Sequence, residues 1–152
     1  MSLAAEGVIA LSRRKLLVVG GGAVCAHVIG CGGSEPTVLP NEIPAGNKAT
    51  VALDTLTPVS GAAVAIGRDS GGIYAMSLVC THQGCNIAQS GGSVGFNLIH
   101  CGCHGSEFDG QGNVTHAPAT QPLPHLAVTA DMAGALTIHG DMPVSATVRL
   151  QV

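Results

Sequence analysis

The chain has 152 residues, among them 22 glycines and no tryptophan, with 2% aromatic and 10% charged residues and a formal net charge of −3. That is room for one domain with short additions and not for a separate catalytic domain, and six basic side chains are too few for a nucleic-acid surface. A core without Trp rests on Val, Ile, Leu and Ala in thin layers, so cross-links by metal or disulfide matter more than usual.

The chain opens with Ser12, Arg13, Arg14 and Lys15 ahead of an apolar run over residues 16–30 that is broken by Gly20, Gly21, Gly22, His27 and Gly30. The run falls short of the about 20 residues that a spanning helix needs. Its order of basic, apolar and polar segments resembles a twin-arginine export signal. Residues 28–31, Val-Ile-Gly-Cys, resemble a bacterial lipoprotein cleavage site, which makes Cys31 the candidate lipidated residue. Ordinary signal cleavage, or retention as a glycine-rich anchor, are the alternatives. Both resemblances imply export and a membrane-tethered periplasmic or extracytoplasmic protein. Residues 32–49 hold Gly32, Gly33, Ser34, Pro36, Pro40 and Pro44 and read as a flexible linker.

From residue 50 the pattern is short strands between turn signals, with no helical period over ten residues. Strands are predicted over residues 50–53, 63–66 and 73–76, the last two joined by the turn Asp69-Ser70-Gly71-Gly72. Residues 94–100 form one strand, Val114 starts the next after Asp109-Gly110-Gln111-Gly112, and residues 126–129 and 135–139 flank a turn at 131–134. Strict alternation of Val148, Leu150 and Val152 with Thr147, Arg149 and Gln151 predicts a last strand. The fold class is all-β, an antiparallel sandwich with loops projecting from one end.

Two of those loops concentrate the chemistry. Residues 80–85 read Cys-Thr-His-Gln-Gly-Cys and residues 101–106 read Cys-Gly-Cys-His-Gly-Ser. Side by side, they offer sulfur and nitrogen ligands for zinc or for an iron-sulfur centre. Four cysteines in two disulfides, with incidental histidines, is the third reading.

The paired boxes resemble those of the Rieske family, Cys-x-His-x-x-Cys and Cys-x-x-His-Gly-Ser with a Cys inside the second, and every position is matched. The resemblance implies a Rieske-like domain over residues 50–152 with a small cluster-binding subdomain built by the two loops. It implies that Cys80 and Cys101 bind one iron of a 2Fe-2S cluster, that His82 and His104 bind the other, and that Cys85 and Cys103 form a disulfide. Two thiolates in place of four leave the oxidised core near neutral, which raises the potential above that of all-Cys clusters.

Other positions follow the same resemblance. Ser106 is expected to donate to a bridging sulfide, and Phe108 stands where high-potential respiratory members commonly carry Tyr, which implies an intermediate potential. Residues 117–123 resemble the proline loop that covers the cluster, with Pro118 and Ala119 matched. Gly84 and Gly105 are expected to supply special backbone conformations. The implied function is single-electron transfer between donor and acceptor proteins, with a c-type cytochrome or quinol among the candidate partners. The alternative is the Rieske subunit of a quinol-cytochrome c reductase. An oxygenase ferredoxin is disfavoured by Cys85 and Cys103, and a zinc protein by the third Cys and the Gly-Ser after His104. From Cys31 onward three basic side chains face eight acidic ones, which again excludes nucleic acid.

Overall fold

The structure is a computed structural model that describes residues 37–152. The export signal, the Cys31 site and the start of the linker lie outside the described residues. Strands β1 (Glu42–Asn47), β2 (Thr55–Pro58), β3 (Val64–Asp69) and β4 (Gly72–Ser77) precede the first box. The short strands β5 (Ser93–Val94), β6 (Ile99–His100), β7 (Glu107–Phe108) and β8 (Val114–His116) carry the chain through and past the second. Strands β9 (His125–Ala130) and β10 (Ala135–Val144) close it. All pairings between these strands are antiparallel, in a six-stranded sheet ordered β1-β10-β9-β4-β3-β2 and a four-stranded sheet ordered β5-β6-β7-β8. Among the described residues the only helical pieces are two short 3-10 turns.

Every residue of β4 is buried, because its two faces serve two cores. Ile73 and Ala75 join Val64, Ile66, Leu126, Leu136 and Ile138 on one side. Tyr74 and Met76 face the other way and join Leu78, Cys80, Ile99, Cys101 and Phe108. Side chains alternate along a strand, so the series 74, 76, 78, 80 delivers Cys80 to the second core. That core is the filling between the two sheets.

Four expectations are corrected. Residues 42–49, read as linker, are folded: β1 pairs with β10 through Ile43 and Ile138, and Pro44 sits on an edge strand where its missing N–H is harmless. The strand expected at 50–53 is a turn, because the Asn47 side chain accepts from the Ala49 N–H (3.0 Å) and Thr50 Oγ1 donates back to the Asn47 carbonyl (2.7 Å). The single strand over 94–100 is a hairpin of β5 and β6, closed by Gly95 N–H to Leu98 O at 3.0 Å. The C-terminal alternation makes no strand. Only Leu150 pairs, exchanging both backbone bonds with Ile73 (2.9 and 2.8 Å).

Arg149 sits inside this C-terminal segment. Its guanidinium ion-pairs with Asp69 at 2.8 Å, donates to the Gln111 side chain and lies 4.4 Å from the centre of the Tyr74 ring. Tyr74 in turn donates to the Gly110 carbonyl (2.9 Å) and stacks on His125, whose Nε2 lies 2.9 Å from the Gln111 carbonyl. Burial pushes the Tyr74 hydroxyl up to about 12, so it stays a donor. The network ties the large sheet to the turn that follows β7.

The hydrogen bond from Arg149 holds the Asp69 carboxyl below its ordinary value. A carboxylate with a depressed folded-state pKa adds stability above its unfolded pKa, and this is lost as pH falls through the folded one. Arg149→Leu is therefore expected to cost about 1–2 kcal/mol at pH 7. The gap from the wild type should narrow as pH falls below the ordinary carboxylate range and through the lower folded-state value of Asp69, as read from urea midpoints along a descending pH series.

Candidate metal centre

The two boxes fold into the same turn. Cys80 N–H donates to the Cys85 carbonyl (2.8 Å) and Gly84 N–H to the Cys80 carbonyl (2.8 Å). In the second box Cys101 N–H donates to the Ser106 carbonyl (2.9 Å) and Gly105 N–H to the Cys101 carbonyl (3.0 Å). Gly84 and Gly105 occupy equivalent places with φ of 77° and 79°. A Cβ at either would meet nothing within 4 Å, so the demand for glycine is conformational and not steric. Each glycine supplies a positive-φ conformation, and crowding has no part in it.

The paired turns bring the predicted side chains together. Cys80 and Cys101 are buried free thiols, at 2% and 0% exposure, in the same core. Burial raises the Cys80 thiol above its ordinary value. The rings of His82 and His104 meet edge to face, 4.8 Å between centres. His104 is exposed and His82 half-buried, yet His82 Nδ1 is buried and has no hydrogen-bond partner. Cys85 and Cys103 are disulfide-bonded across the two turns, with Cα atoms 6.7 Å apart.

A buried imidazole nitrogen without a partner costs free energy unless something accepts its lone pair. Two free buried thiols and an inward-turned imidazole nitrogen beside a second imidazole are the donor set of a mixed sulfur-nitrogen metal centre. The residues fit a 2Fe-2S cluster. Cys101 Sγ also lies within 4.8 Å of both disulfide sulfurs. These three sulfurs are not a ligand set, since two of them are bonded to each other.

The Rieske [2Fe-2S] domain profile matches residues 40–127, more than half of the chain. The chain belongs to the Rieske 2Fe-2S domain family. It is 38% identical over 65 residues to the cytochrome b6-f complex iron-sulfur subunit of Synechococcus sp. (strain JA-2-3B'a(2-13)), covering 41% of this chain and 36% of that protein. The same subunit from Synechococcus sp. (strain RCC307) is 39% identical over 67 residues, covering 43% and 36%. The Rieske chain thus spans about a third of the length of these curated relatives. Among solved structures it resembles the plasma membrane Rieske protein PetC3 from Synechocystis PCC 6803, with a TM-score of 0.43 and 24% identity over 63% of this chain and 97% of that one.

Two contacts hold the loop over residues 117–123 against the boxes. Ser106, fully buried, accepts from the Ala119 N–H at 3.0 Å. Thr81 Oγ1 donates to the Gln121 carbonyl at 2.6 Å. Thr81 carries no signal in sequence beyond its place between Cys80 and His82. Pro118 is exposed on this loop, whereas Ala119 and Leu123 are buried beneath it. Phe108 is wholly buried in the core shared by the sheets. Asp109 caps its own turn by accepting from the backbone of Gln111 (2.8 Å) and Asn113 (2.9 Å).

Ser106→Ala removes the acceptor of a buried N–H. The expected result is a loss of about 1–3 kcal/mol with faster amide exchange at Ala119, read by hydrogen-exchange mass spectrometry, while the β3 and β4 amides keep their protection.

Proposed function

We propose that Cys80 and Cys101 hold one iron and His82 and His104 the other iron of a 2Fe-2S cluster, and that the chain passes single electrons between partner proteins. The observation that carries this reading is the inward, unpartnered Nδ1 of His82 beside two free buried thiols. When bound, the cluster accepts and returns one electron.

The chain's own residues then have distinct tasks. His82 and His104 bring their rings to the surface end of the domain, where a donor or acceptor can touch them. With Nδ1 turned inward, the His82 ring keeps Nε2 as its second hydrogen-bonding atom. Ser106 keeps its hydroxyl proton to donate, because its oxygen already accepts from Ala119. The loop over residues 117–123 keeps water off one side, and the disulfide keeps the two turns together.

The second reading is the iron-sulfur subunit of a quinol-oxidising cytochrome complex, favoured by the relatives that are cytochrome b6-f subunits. Phe108 weighs against the highest potentials, since no hydroxyl is present there to bond a ligand sulfur. No helix among the described residues is long and apolar enough to cross a membrane. The export signal, lipidation of Cys31 and a periplasmic, membrane-tethered location with residues 32–41 as spacer belong to the same proposal. They rest on the N-terminal sequence pattern.

The test is a redox titration of the iron-loaded chain, followed by electron paramagnetic resonance. A reversible one-electron signal within the roughly −150 to +300 mV Rieske range is expected, and Cys80→Ser, Cys101→Ser, His82→Ala and His104→Ala should each abolish it. Phe108→Tyr is expected to raise the potential by the value of one hydrogen bond, about 1 kcal/mol or roughly 40 mV for one electron. A folded, metal-loaded chain that holds zinc and gives no signal would reject the proposal.

A further inference from the structure

The three-sulfur group raises a question about the chain before iron arrives. Cys101 is a free thiol whose Sγ lies within 4.8 Å of both sulfurs of the disulfide between Cys85 and Cys103. Thiol-disulfide exchange needs no external oxidant, only a thiolate that swings into line with the S–S bond. We infer that Cys101, when it carries no iron, attacks Cys85 Sγ, so that the disulfide migrates to the pair Cys85 and Cys101 and Cys103 becomes a free surface thiol.

The step balances. A bond forms between Cys101 Sγ and Cys85 Sγ, the bond between Cys85 and Cys103 breaks, and the electron pair leaves on Cys103 Sγ, which then takes the proton that Cys101 gave up. One disulfide and two thiols stand on each side, and Cys80 is unchanged.

The direction of attack follows from burial. The sulfur that leaves must carry negative charge, and a better-solvated thiolate leaves more readily. Cys103 is exposed, whereas Cys85 is 7% exposed. A cleft of about 230 Å3 lined by Gly84, Asn86, Gln89 and Ser90 opens beside both cysteines, giving Cys103 room to turn outward. Attack on Cys103 instead would expel the buried Cys85 thiolate and close a tight ring across Gly102. The geometry therefore selects one isomer. It also locks the site, since Cys101 in a disulfide is no ligand. Iron on Cys101 is then what preserves the pairing between Cys85 and Cys103. This rests on Cys101 being a cluster ligand, as proposed above.

The isomers differ in where a reagent can reach. With the pairing between Cys85 and Cys103 the two free thiols among the described residues, Cys80 and Cys101, are both buried. After migration Cys103 is open to alkylation. The experiment uses the full chain with Cys25→Ser and Cys31→Ser, so that four of the six cysteines remain. It is prepared with iron and without, treated with iodoacetamide while folded, and mapped by mass spectrometry without reduction.

The iron-free chain should carry the label on Cys103 together with a peptide joining Cys85 to Cys101, and the loaded chain should show neither. Adding Cys80→Ser leaves the attacking thiol in place, and adding Cys101→Ser removes it, while each removes a proposed ligand. Label on Cys103 should be at least about tenfold higher in the first than in the second. Equal labelling in the two variants, or no peptide joining Cys85 to Cys101 in any iron-free sample, overturns the inference. Iron and sulfide content of the loaded chain judges the ligand assignment separately. A chain that takes up no cluster but still shows the migrated disulfide would reject that assignment and leave the exchange standing.

Discussion

Cys80 and Cys101 each have both backbone groups engaged across a six-residue turn, the N–H with the carbonyl five residues on and the carbonyl with the N–H four residues on. The site depends on this repeated constraint. It fixes each Cys at the start of a turn, sets a positive-φ glycine at its fifth position, and leaves the His at the third or fourth position on the open side. Because both turns do this, the thiols meet inside and the rings meet outside. The disulfide joins the turns through the sixth residue of one and the third of the other.

The turns are only as well placed as the strands that deliver them. The first follows β4, whose alternation sends Tyr74, Met76, Leu78 and Cys80 to one core and Ile73 and Ala75 to the other. A register slip of one residue would exchange the two faces and turn Cys80 away from Cys101. The second turn leaves β6 beside buried Ile99 and returns in β7 beside buried Phe108. The Arg149, Asp69, Gln111 and Tyr74 network then holds the turn after β7 to the large sheet, far from the histidines but continuous with the core that surrounds the thiols.

Most of the site was legible because residue types at fixed spacing carry it. Two boxes, each with a Cys, a His and a glycine before the last position, specify the turn and the proposed ligands together. The all-β class was legible from short apolar runs between turn signals, such as residues 63–66 and 73–76. What stayed hidden was set by partners distant in sequence. Residues 42–47 look like linker because Pro44 and Gly46 break the pattern, but on an edge strand only one side must pair. The C-terminal alternation promised a strand, yet Arg149 turns inward to Asp69, a residue 80 positions away. Gly140 and Pro143 concealed the length of β10, which continues through them with an irregular register against β9. Thr81 reads as an ordinary threonine until the carbonyl of Gln121 is found above it.

The central claim is that imidazole nitrogen from both His82 and His104 binds iron. The most direct measurement is electron-nuclear double resonance on the reduced, iron-loaded chain grown with 15N-labelled histidine. The account predicts two strongly coupled histidine nitrogens, with one lost in whatever cluster forms when either His is replaced. A reduced cluster with no histidine nitrogen coupling would contradict it and point to ligation by thiolates alone.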